Sequence, residues 1–94
     1  MSELGRLLME ARTAKGLSLA DVETVTRIRQ KWLEALENGE YNKLPQGAVA
    51  RGFLRTYAAY LGLDTQAALN LYVDESGDRG DAVLMAEPGK PRYV

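Results

Sequence analysis

The punctuation of this chain limits its fold more than any other feature. Glycines that can end helices stand at Gly16, Gly39 and Gly62, and residues suited to capping the next helix, Ser18 and Asp64, follow the first and last of them. Between these stops apolar residues recur at helical spacing, and no stretch alternates with period two for long enough to argue a sheet. The chain reads as all-α, with five short helices.

Leu4, Leu7, Leu8 and Ala11 lie at i, i+3, i+4 and i+7 within residues 3–15, which predicts one face of a first helix. Ser18 with Asp21 three residues on is a variant capping box, opening a short second helix over residues 19–25. The Thr26-Arg27 pair breaks it. A third helix is expected over residues 28–37, with Ile28, Trp32, Leu33 and Leu36 on one arc, closed by Asn38-Gly39. Residues 40–45 read as a loop, residues 46–61 as the longest helix, and residues 65–73 as the last, capped by Asp64. The domain is therefore expected over residues 1–73, and residues 74–94, rich in Gly, Pro, Asp and Glu, as a flexible tail or linker.

Ninety-four residues suffice for one domain, and the chain has neither cysteine nor histidine. Disulfides, Cys/His metal sites and catalysis by imidazole or thiolate are thereby excluded. Neither glycine-rich phosphate-binding motif occurs, and the acidic residues are spaced as if to pair with Lys and Arg along helices. No enzyme, cofactor or metal is expected. The net charge of −1 advertises no nucleic-acid partner. No run of 18 apolar residues and no signal-peptide core occurs, so the expected location is the cytoplasm.

Two helices joined by a tight turn suggest a helix-turn-helix. The run from Gly16 through Val22 to Asn38-Gly39 resembles the Cro/C1 (xenobiotic-response-element) type. Leu17-Ser18-Leu19, Ile28-Arg29, Trp32–Glu37, Leu44-Pro45 and above all Arg51-Gly52-Phe53-Leu54-Arg55-Thr56-Tyr57-Ala58 resemble the cytoplasmic domains of the RodZ family of bacterial cell-shape proteins. That resemblance implies a five-helix bundle of lambda-repressor-like helix-turn-helix type. It also implies docking onto the actin-like filament protein MreB through the fourth helix, and membrane attachment through a segment this chain does not contain. The helix-four contact positions of the family match Val49 and Phe53, where Val49 departs from the aromatic residue many relatives carry.

Two surfaces are thus candidates. At about 100° per residue, Val49, Tyr60, Phe53, Tyr57, Ala50, Leu61, Leu54 and Ala58 cover roughly 180° of the fourth helix, where a single core-facing stripe needs about 100°. Either the helix is buried on two sides, with Phe53 and Tyr57 as plain core, or one flank is a partner surface, with Val49, Phe53 and Tyr57 as contacts and Arg51 and Arg55 as charged accompaniment. The alternative is DNA, read by Arg27, Arg29, Gln30, Lys31 and Ala35 at the start of the second motif helix. Glu34 and Glu37 on that helix oppose it. So do Leu19, where repressors of this type often carry Gln, and Glu23, where they carry a small residue. Trp32 reads as core on its spacing beside Ile28 and Leu36.

Overall fold

The computed structural model describes residues 2–45 and 47–77. The described residues form five α-helices: α1 (Glu3–Ala14), α2 (Leu19–Thr26), α3 (Gln30–Asn38), α4 (Ala48–Leu61) and α5 (Thr65–Ser76), with a single 3₁₀ turn at Tyr41–Lys43. No strand occurs among them. The all-α, five-helix expectation holds. Of the flexible tail expected over residues 74–94, residues 74–76 continue α5 and residues 78–94 lie outside the described residues.

Local chemistry accounts for each boundary. Ser18 Oγ accepts from the Asp21 amide at 3.0 Å while the Asp21 carboxylate accepts from the Ser18 amide at 2.9 Å, a complete capping box. The Asp64 carboxylate accepts from the Gln66 and Ala67 amides and opens α5. Ser2, unread in the sequence, caps α1 by accepting from Gly5. Gly39, at φ 73°, ends α3 in the left-handed conformation, and the Glu40 amide returns to the Ala35 carbonyl at 2.9 Å.

Three ends differ from expectation by two residues or more. Helix α3 begins at Gln30 rather than Ile28, because Arg27 turns left-handed (φ 67°) and Arg29 is extended as the N-cap. Arg27 is the only non-glycine residue with positive φ among those described. Helix α4 begins at Ala48 because Gly47 adopts φ 63° and ψ −128°, open only to glycine. Helix α5 runs three residues beyond Val73, for a tertiary reason: the Glu75 carboxylate accepts from the Leu4 amide (3.1 Å) and the Tyr41 hydroxyl (2.5 Å).

One core unites the helices. Leu4 and Leu8 of α1, Val22 of α2, Leu33 and Leu36 of α3, and Leu54, Tyr57 and Ala58 of α4 are all fully buried. Helix α4 packs chiefly on α5, and α1 on α3. Gly5 sits where the α1 backbone meets that of α3: a Cβ there would lie 2.0 Å from the Glu37 carbonyl oxygen.

Across the seam of α1, α3 and α4 lies a buried ionic cluster. Arg12 holds Glu37 bidentately, Nε donating to Oε2 at 2.7 Å and Nη2 to Oε1 at 2.9 Å, while Nη1 donates to the Leu17 carbonyl at 3.0 Å. The Tyr57 hydroxyl donates to the same Glu37 carboxylate. Burial and the adjacent carboxylate both push the Tyr57 phenol far above its ordinary range, so it stays a donor.

The Glu75 latch carries a pH prediction. Burial pushes its carboxyl up, but hydrogen bonds from Tyr41, the Leu4 amide and Ser2 outweigh it, and the net pKa falls below 4.5. A depressed folded pKa means the stabilisation is complete above the unfolded value and is lost as pH falls through the lower folded one. Glu75→Gln should therefore melt below wild type at pH 7, with the gap closing below about pH 4.5; thermal melts from pH 7 to 3 measure it.

Candidate functional site

Helix α4 divides its wide apolar arc into two halves. The half holding Tyr57, Ala50, Leu61, Leu54 and Ala58 is buried against the other helices. The other half faces outward: Val49 is 51% exposed, and Phe53 and Tyr60 are half-buried. Phe53 stacks on Trp32 of α3, with ring centroids 6.4 Å apart and planes inclined by 23°. The Lys31 ammonium lies 4.5 Å from the Trp32 ring centre. Lys31, Trp32, Phe53 and Val49 thus form a continuous strip across α3 and α4.

Several predicted residues are placed elsewhere. Tyr57 is fully buried and bonded to Glu37, so it is a core residue and no partner contact. Arg51 and Arg55 lie roughly 160° around the helix from Phe53, at 100° per residue, so they do not accompany the strip; Arg55 is exposed and Arg51 half-buried. Trp32, read as core from its spacing, packs against the core with part of its ring and adds the rest to the strip. No periodicity could reveal that, because its exposure depends on where α4 crosses α3.

At the helix-turn-helix, Arg27, Arg29, Gln30 and Lys31 are exposed as expected. Arg27 and Arg29 line an open cleft with Glu23 and Thr24. Gln30 is engaged, its Nε2 donating to Glu23 at 3.1 Å. Ala35 is 2% exposed and belongs to the core, so it reads nothing. Glu37 is also withdrawn from this surface, buried and neutralised by Arg12, which leaves Glu34 as the exposed acid of α3. Lys31 joins both candidate surfaces, as the last base of the turn and the first residue of the strip.

Among the described residues no group of acids is arranged to hold a metal ion, and no helix is long and apolar enough to cross a membrane.

Two helices meeting at a tight turn inside a five-helix core define a helix-turn-helix protein. The helix-turn-helix domain family matches residues 7–68. The cytoskeleton protein RodZ of Streptococcus pneumoniae is 38% identical over 69 residues, which is 73% of this chain and 25% of that protein. The uncharacterised membrane protein YmfM of Bacillus subtilis is 40% identical over 48 residues, 51% of this chain and 17% of that one. The solved structure of YmfM from Staphylococcus aureus, a candidate DNA-binding membrane protein, matches with a TM-score of 0.70 at 29% identity, over 77% of this chain and 88% of that one. The chain belongs to this helix-turn-helix family, as a RodZ-like domain. It spans about a quarter or less of the length of the curated relatives it matches.

Proposed function

We propose that this domain is the cytoplasmic, non-catalytic docking module of a RodZ-like cell-shape protein, and that it binds the actin-like filament protein MreB through the strip on α3 and α4. Membrane attachment would come from a segment outside these 94 residues. The observation that carries the reading is the spare flank of α4. Its inner half already supplies the core contacts, yet Val49 remains half-exposed and Phe53 extends the apolar surface onto Trp32. Solvent-facing aromatic anchors of this kind are enriched at protein interfaces.

Co-sedimentation with polymerised MreB from the same organism tests it. Phe53→Ala removes a half-buried ring, should cost about 1–2 kcal/mol of stability and leave the domain folded by circular dichroism. Docking should weaken at least thirtyfold, roughly the 2 kcal/mol of an interface hot spot. Val49→Asp probes the same strip at a position the core does not use. Pelleting by wild type and both variants alike would refute the site.

A nucleic-acid reading has one observation in its favour: Arg27, Arg29, Gln30 and Lys31 all face outward at the turn. It requires the reverse pattern. Binding to duplex DNA would fall steeply with salt and with Arg27→Ala or Arg29→Ala, and be indifferent to Phe53→Ala.

A further inference from the structure

We infer that Lys31 sets the specificity of the docking strip, and that the surface it recognises pairs an apolar anchor with a carboxylate. The inference deepens the filament-docking reading and rests on it.

The first observation is how the basic residues are partnered. Arg12 pairs with Glu37, Arg6 with Glu10 at 3.3 Å and Lys43 with Glu40 at 3.4 Å. Lys31, like Lys15, Arg27, Arg29 and Arg55, has no carboxylate within ion-pair distance among the described residues, although Glu34 follows it by one turn on the same helix. Its ammonium rests instead over the Trp32 ring. A cation so placed keeps its donors available while its stem lies along apolar surface.

The second observation is continuity. The Trp32 ring meets both the Lys31 ammonium and the Phe53 ring, so the charge adjoins the apolar strip and does not sit on a separate face. Of the acids nearest in sequence, Glu34 makes no ion pair with it among the described residues, Glu37 is buried against Arg12, and Glu23 accepts from Gln30. Charge complementarity therefore calls for an acidic group beside the apolar anchor. A rim charge of this type governs encounter rate, salt dependence and rejection of wrong partners more than raw affinity.

The chain has a single tryptophan, so within this domain the emission comes from the strip, read as the difference from filaments alone. The wild-type domain is titrated with polymerised MreB at low and high salt, following pelleting and Trp32 emission, beside Lys31→Glu, Lys31→Gln and the charge control Arg55→Glu. Wild type should pellet with a blue-shifted emission and bind more weakly at high salt. Lys31→Glu should lose about tenfold or more in affinity, Lys31→Gln only a few-fold, and Arg55→Glu little. Wild-type pelleting with Lys31→Glu unchanged, or with Arg55→Glu equally impaired, overturns the specificity role and leaves the docking site standing. No pelleting by wild type overturns both.

Discussion

Arg12→Ala is expected to lower the melting temperature of the domain by more than about 12 °C, from a loss of about 3 kcal/mol or more. The reason is what it leaves behind. Glu37 is 5% exposed, and Arg12 supplies two of its hydrogen bonds and its counter-charge. Without the guanidinium, a carboxylate stays buried with the Tyr57 hydroxyl as its remaining described partner, and the Leu17 carbonyl loses a donor. An orphaned buried charge costs far more than the intact pair contributes. Removing the whole cluster, as Arg12→Met with Glu37→Leu and Tyr57→Phe, should therefore recover most of the loss. Thermal melts of the single and triple variants decide it: a triple variant no better than Arg12→Ala would show that packing geometry, not uncompensated charge, sets the cost.

Gly5→Ala should destabilise the domain by about 2 kcal/mol or more, against its helix propensity. In an exposed helix interior the exchange gains roughly 0.5–1 kcal/mol. Here the new Cβ would lie 2.0 Å from the Glu37 carbonyl oxygen and 2.8 Å from Ser2 Oγ. The obstacle is backbone, which cannot rotate aside, so α1 has to move away from α3 and overpacking dominates. Gly52→Ala is the internal comparison. It lies inside α4 with nothing within 4 Å of its Cβ position, and should stabilise by about 0.5–1 kcal/mol. Urea denaturation of both variants gives the two signs directly.

The Arg12 cluster also shows why part of the site was illegible in the sequence. Glu37 reads as one more acid on α3, opposing a phosphate backbone. Arg12 lies 25 residues away, and nothing in the spacing says that the two meet. Their pairing follows from the close approach of α1 to α3 that Gly5 permits. Tyr57 and Phe53 make the same point from the other side. Both fall within the apolar arc of α4, about 40° apart at 100° per residue, and both are plausible anchors. The packing of α4 on its neighbours buries Tyr57 completely and leaves Phe53 at the boundary.

The number and order of the helices, most of their ends to within a residue, and that α4 carries more apolar surface than one core-facing stripe needs were readable from the residues. Caps, glycines and periodicity act over a few positions, so they survive in a linear text. The tertiary structure decided which half of that arc meets the core, that Trp32 joins the outward half, that Glu37 is sealed away by Arg12, and that Glu75 carries α5 three residues further. Each of these depends on the angle and distance at which helices cross, set by contacts between residues far apart in the chain.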